Sequence, residues 1–284
     1  MKRVVRLTTV AGLAAGLVLS TMAATSAAPS AGVEAPASVA SASAASASSA
    51  SAASVASASA ASRSRFNPRA RFAREFVRRG DSDTSVYDID HVRELQYRLR
   101  WAGVYGGPVT GYFGDQTTGA VKRFQRRSNL RVTGTANFET WAKLIRKTIQ
   151  ARGDIPARCK VRRVKWHACY DRATHQVTLW RHDELWNSWL VRGGSYDAQT
   201  RLGNNFVFSR DKDHVSGIFG SPMPYSQFFD GGQALHGSST MIDPFDGHSH
   251  GCINMYNEDA RQLWKLTTRT PMSQMKVTVY GEWS

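Results

Sequence analysis

The residues of this chain best suited to chemistry lie in two short stretches. One is Gly247-His248-Ser249-His250-Gly251-Cys252-Ile253-Asn254; the other, upstream, is Ala234-Leu235-His236-Gly237-Ser238-Ser239. A thiol attacks as its thiolate, and a nearby imidazole and local backbone N–H groups can lower its pKa. Two such segments separated by a loop can set the His236 imidazole against the Cys252 thiol across adjacent strands. Backbone N–H groups at His250, Gly251 and Cys252 are candidate donors for the oxyanion of acyl transfer. The same residue types allow a zinc reading through His236, His248, His250 and Cys252. No HExxH or Cys-x-x-Cys accompanies them, so the sequence is read without a metal or other cofactor.

The compartment of that thiol is read from the N-terminus. Met1 to Arg6 is basic, Leu7 to Ala24 is apolar and uncharged, and Thr25-Ser26-Ala27 offers small residues to a signal peptidase. This is the pattern of a secretory signal over residues 1–27, with an uncleaved anchor as the alternative. Secretion to the cell wall or extracellular space is expected, with no stable membrane span after cleavage. Three cysteines in an exported chain leave one over when two pair. Cys159 and Cys169 are the disulfide candidates, brought together by a hairpin and worth about 3 kcal/mol. That leaves Cys252; three buried thiols is the other reading. The net charge of +15 favours a polyanionic partner. Outside a cell the candidates are anionic wall polymers, anionic lipids and the carboxylates of peptidoglycan. Nucleic acid is set aside, because no recognition motif accompanies the charge.

The elements that must position these groups fall into three regions. Residues 28–80 are an Ala/Ser-rich linker followed by a basic stretch, in which Phe66, Phe72 and Phe76 interleave with seven Arg. The linker has no aromatic residues and no usable apolar period, so it forms no core. The Arg/Phe stretch either lies on an anionic surface or packs its Phe residues on the next domain. Residues 81–150 read as a first domain of short helices divided by glycine turns. One helix runs from Asp88 to Gly103, a second is capped by Asp115, and a third is capped by Asn137. Residues 155–284 read as mainly β, with strands at 161–166, 176–181, 186–192, 206–208 and 276–280 and one helix from Asn257 through Leu266.

Two resemblances follow from these residues. Leu95-Gln96, Gly103, Gly111-Tyr112-Phe113-Gly114, Thr117, Ala120-Val121, Phe124-Gln125, Gly134 and Thr140 together resemble the common peptidoglycan-binding domain. His236-Gly237 followed by Ser249-His250-Gly251-Cys252-Ile253-Asn254 resembles the L,D-transpeptidase (YkuD-like) catalytic family. The expected fold class is therefore multidomain α and β, a three-helix peptidoglycan-binding bundle before a mainly-β catalytic domain. The resemblance implies Cys252 as nucleophile, His236 as its base and the Gly237 carbonyl as orienter of the imidazole. His250 joins the catalytic candidates; Gly251, Ser249 and Asn254 would shape the site. Gly220 to Tyr225 resembles the family's substrate-facing segment, making Met223 and Tyr225 substrate-binding candidates. Thr200 to Phe206 departs from the family pattern by lacking a Pro and carrying one extra residue. The implied reaction joins peptidoglycan stem peptides into 3→3 cross-links through a Cys252 thioester. The alternatives are an L,D-carboxypeptidase and a non-catalytic peptidoglycan-binding protein.

Overall fold

The computed structural model describes residues 67–151 and 155–284. The signal expected at 1–27, the Ala/Ser linker and Phe66 lie outside the described residues. No helix among the described residues is long and apolar enough to cross a membrane.

Three helices build the first domain: α1 (Val92–Trp101), α2 (Asp115–Arg127) and α3 (Phe138–Ala151). Their apolar faces meet in a core of Leu95, Leu99, Phe113, Val121, Phe124, Trp141, Leu144 and Ile145. Two buried glutamines close the turns between them. Gln96 accepts from the Thr110 and Gly111 amides at 2.9 and 3.0 Å and donates to the Tyr112 carbonyl. Gln125 does the same to the Thr133 and Gly134 amides and the Thr135 carbonyl. The turn glycines Gly111 and Gly134 sit at φ +76° and +79°, where a side chain would be strained. Asn137 Oδ1 caps α3 by accepting the Thr140 amide at 3.0 Å. The start of α1 differs from the expected Asp88. His91 adopts a left-handed backbone at φ 54°, and Asp83 caps from outside the helix by accepting the Asp90, Val92 and Arg93 amides.

The second domain has nine strands and one principal helix. The strands are β1 (Trp166–Asp171), β2 (Gln176–Arg181), β3 (Glu184–Leu190), β4 (Gly203–Phe206), β5 (Ser209–Val215), β6 (Pro222–Asp230), β7 (Gln233–Gly237), β8 (Ile253–Met255) and β9 (Met275–Tyr280); the helix is α4 (Asn257–Thr267). One sheet runs β3-β2-β1-β9-β4 and the other β5-β6-β7-β8. The strand expected at 161–166 instead begins at Trp166. Residues 166–170 are all buried, since β1 is flanked by β2 and β9, and that erases the two-residue alternation. Leu235, Ile253 and Met255 pack with Trp189, Leu263 and Val277 in the core shared by the sheets and α4. Cys159 and Cys169 form a disulfide with Cα atoms 6.0 Å apart. It ties a single helical turn (Ala157–Cys159) to β1, so no hairpin brings the pair together.

The segment before the bundle straps the two domains together. Phe72 is buried in the bundle core and its amide donates to the Trp186 carbonyl at 3.0 Å. Arg74 is buried with both Glu94 oxygens at 3.0 Å and donates to the Ser188 carbonyl on β3 at 2.7 Å. Of the two readings of the Arg/Phe stretch, packing on the domain is the one seen at Phe72, while Phe76 is exposed. The loop after β7 reaches back to the bundle: Tyr97 Oη donates to Asp243 at 3.0 Å, and Met241 packs with Ile89.

Candidate active site

His236 stands on β7 and Asn254 on β8. The strands are parallel, with His236 paired to Asn254 and Leu235 to Ile253. Cys252 lies two residues before Asn254 and immediately ahead of β8. The strand period of two places positions 252 and 254 on the face of His236. All three side chains line one cleft of about 440 Å³.

His236 is buried and its Nδ1–H donates to the Gly237 carbonyl at 2.7 Å. That bond fixes the tautomer and leaves Nε2 as the basic nitrogen. Burial holds the imidazole down at about 4, against the pull of the Gly237 carbonyl. Gly237 has no room for a side chain: a Cβ there would lie 2.4 Å from Asn257 Oδ1 and 3.0 Å from Pro224.

The Cys252 thiol is partly buried and faces the Gly232 carbonyl at 3.7 Å. Burial pushes it above its ordinary value, outweighing the Ala234 amide and the Arg201 charge. The sequence reading expected a lowered thiol pKa; burial in the cleft overrides that effect. At neutral pH the pair is therefore a thiol beside a neutral imidazole.

Ser249 and Gly251 shape the turn that carries the thiol. Ser249 Oγ donates to the Cys252 carbonyl at 2.6 Å and accepts the Gly251 amide at 3.1 Å. Gly251 was a candidate oxyanion donor, but its N–H is taken by Ser249. Its φ is +109°, and a Cβ would lie 2.4 Å from Gln233 Nε2, so glycine is required there for the turn itself.

Known families match both halves of this architecture. Residues 165–279 match the L,D-transpeptidase catalytic domain, and residues 89–144 match the "Putative peptidoglycan binding domain". The β domain belongs to the L,D-transpeptidase catalytic family. A spore cortex-lytic enzyme of Bacillus cereus is 36% identical over 77 residues, covering 27% of this chain and 27% of that protein. The chain thus matches about a quarter of that curated relative's length. Among solved structures, an L,D-transpeptidase of Stackebrandtia nassauensis is 23% identical with a TM-score of 0.46, covering 68% of this chain and 92% of that one. The L,D-transpeptidase of Xylanimonas cellulosilytica is 23% identical with a TM-score of 0.41, covering 72% and 97%.

In the L,D-transpeptidase domain the remaining candidates separate. Met223 lines the cleft, but Tyr225 does not. Tyr225 has φ +61°, which breaks the alternation of β6, and its ring packs toward Trp264 at 6.2 Å beside the core. His250 borders the cleft with its ring stacked on Phe219 at 4.2 Å. His248 also lines the cleft, with its ring 5.6 Å from that of Trp283, and among the described residues His248, His250 and Cys252 do not gather at metal-binding spacing. Another buried group, His91 with Glu94 and Asp259, has metal-like spacing. Glu94 is already bound by Arg74 and Arg98, which fill the place of a cation.

Among the lining residues that the sequence reading missed are Arg192, Thr240 and Phe219. Arg192 follows the apolar run Trp189-Leu190-Val191, and a charge ending such a run was the available signal. Phe219 belongs to the exposed pair Ile218-Phe219 set between Gly217 and Gly220.

Proposed function

We propose that the chain is an exported peptidoglycan L,D-transpeptidase whose nucleophile is Cys252. The observation that carries this reading is the His236–Gly237 bond. It leaves a neutral, unprotonated Nε2 in the cleft that also holds the thiol. A neutral base is what a neutral thiol needs.

The donor is a stem tetrapeptide. Nε2 takes the Sγ proton as sulfur attacks the carbonyl of the third, diamino residue. The amides of Cys252 and His250 are the donors proposed for the resulting oxyanion. Collapse breaks the peptide bond, and the imidazolium returns its proton to the departing D-alanine amine. A thioester remains on Cys252. The side-chain amine of a second stem attacks it, its proton passing to Nε2, and a 3→3 cross-link forms as the thiol is restored. Water in place of that amine yields a tripeptide, the carboxypeptidase outcome. Ser249 holds the nucleophile turn, and His250 stacks on Phe219 in the lining of the cleft. The helical bundle raises the local concentration of wall substrate, and the positive charge favours anionic wall polymers.

The test is mass spectrometry of products from the chain with disaccharide-tetrapeptide, beside Cys252→Ala. A cross-linked dimer with D-alanine released, both lost in the variant, supports the reading. Tripeptide alone moves it to carboxypeptidase. Binding to wall sacculi without either product makes the chain a non-catalytic binder.

A further inference from the structure

Two guanidinium groups line the catalytic cleft, and only one is neutralised. Arg201 is held by Asp230, with Nε 2.8 Å from its Oδ2. Arg192 is 7% exposed and all its side-chain partners are neutral: the Thr240 hydroxyl at 2.6 Å, the Ser238 hydroxyl at 3.3 Å and the Asp246 carbonyl at 3.3 Å. Its Nε is buried without a hydrogen-bond partner. Among the described residues the Asp246 carboxylate is its electrostatic neighbour, but the two form no ion pair; burial dominates and lowers the Arg192 pKa. An uncompensated buried cation is costly to a fold, and a ligand that neutralises it recovers that cost.

Strand order places this cation. The Arg192 and Asn254 backbones exchange hydrogen bonds at 2.9 Å in an antiparallel bridge. Asn254 is in turn the register partner of His236. Arg192, Asn254 and His236 thus form one row across the strands, with Arg192 two strand spacings, roughly 10 Å, from the base. Asn254 Oδ1 in the middle of the row is also buried without a partner. A second cavity of about 310 Å³ adjoins the cleft through Arg192 and Thr240, and it is lined on the bundle side by Arg93. Its carboxylates are Asp243 and Asp246, of which Asp243 accepts from Tyr97 Oη.

The geometry points to Arg192 as a carboxylate anchor: it binds the terminal carboxylate of the residue that Cys252 expels. This rests on the transpeptidase reading above. The departing amine must lie at His236 Nε2 to collect its proton, and the carboxylate of the same residue is one carbon further on. An arginine reaching back along the row meets it there. A planar guanidinium suits a carboxylate because both can form two parallel bonds. The anchor also acts as a length gauge. A stem with one more residue carries an amide where the anchor expects a charge.

The test compares tetrapeptide with a free C-terminal carboxylate against its C-terminal carboxamide, on the wild-type chain and on Arg192→Gln. Wild type is expected to favour the acid by about 100-fold in kcat/KM. In Arg192→Gln that preference falls to within about threefold. Iodoacetamide labelling of Cys252 at an unchanged rate shows that the variant retains its site. Equal use of acid and amide by wild type overturns the anchor, as does an undiminished preference in Arg192→Gln. Tetrapeptides amidated instead at the D-glutamate or diamino carboxylate distinguish the other sources. A loss there that vanishes in Arg192→Gln overturns the assignment to the expelled residue. If wild type turns over neither form, the transpeptidase reading fails. Calorimetry of acid and amide binding to Cys252→Ala, with and without Arg192→Gln, then still decides the anchor.

Discussion

His91 of the bundle and Asp259 of helix α4 meet across the domain junction, with Nε2 3.1 Å from Oδ1. The other ring nitrogen of His91 contacts Glu75, also buried. Both nitrogens face carboxylates, and an imidazole can donate from both only when charged. Burial opposes that charge, but Glu75 and Asp259 outweigh it and hold His91 well above its ordinary pKa.

This relationship predicts an alkaline loss of stability. A group whose pKa is raised on folding contributes fully below its unfolded value of 6.5 and loses that contribution as pH rises through the folded value. Unfolding free energy from urea titrations is expected to fall as pH rises above 6.5 in wild type. In His91→Leu that slope is expected to disappear. The variant is also expected to be less stable at pH 7 by about 3–5 kcal/mol, because Glu75 and Asp259 are left buried without their cation. Parallel pH profiles for the two proteins would rule out His91 as the titrating group.

Glu94 predicts the opposite limb. It is fully buried between Arg74 and Arg98; burial opposes its charge, but the two guanidinium groups hold its carboxyl at about 2. A depressed carboxyl contributes stability above its unfolded value of 4.5 and loses it as pH falls toward 2. Glu94→Gln is expected to cost about 3–5 kcal/mol at pH 7, and the gap to wild type should narrow below pH 4. A gap independent of pH would place the cost in packing rather than charge. Arg74 also holds the Ser188 carbonyl, so the variant should make the strap around residues 67–79 more open to limited proteolysis.

How far these features were legible depends on the range of the interaction. The bundle was legible because its signals are local: Gly111 and Gly134 mark left-handed turns, and Asn137 caps the helix beside it. The residue types allowed Cys252 to be set against His236 across adjacent strands and the resemblance assigned their roles, but parallel strands joined by a long loop leave no turn signature that fixes the pairing. Arg192 was legible only as a charge ending the apolar run Trp189-Leu190-Val191, not as a member of the site. Its place beside Asn254 comes from strand order, which composition and periodicity do not encode. The Arg74–Glu94 pair was hidden for a related reason. A basic stretch before a domain reads as solvated until the partner that buries it is known. Tyr225 misled because the left-handed backbone that turns its ring away is rare for an aromatic residue.

The disulfide gives a third expectation. Cys159 and Cys169 are separated by 10 residues and close a short loop onto β1. Cys159→Ser with Cys169→Ser is expected to lower stability by about 3 kcal/mol through the freed unfolded chain. Activity at low temperature should persist, because Cys252 sits immediately ahead of β8, away from the sheet that carries Cys169. Differential scanning calorimetry of wild type with and without reductant, beside the double variant, checks this. A reductant effect that persists in the double variant would point to Cys252 instead.

The last expectation concerns the resting state of the Cys252 thiol. Burial raises the Cys252 thiol and lowers the His236 imidazole to about 4, so the two are uncharged together at neutral pH. Iodoacetamide reads the thiolate directly, and its rate on Cys252 should climb about tenfold per pH unit from 6 to 8 without a plateau. Acylation by a stem peptide reads the base instead. It should hold down to about pH 5 and decline only as His236 gains its proton near 4. His236→Asn should slow acylation by about 10²–10⁴-fold while leaving alkylation at high pH intact. Gly237→Ala should produce a similar pattern, because its Cβ would collide with Asn257 and displace the carbonyl that aims the ring. A plateau in alkylation near pH 6, lost in His236→Asn, would show instead a thiolate–imidazolium pair and shift the proton transfer to a step before substrate binds.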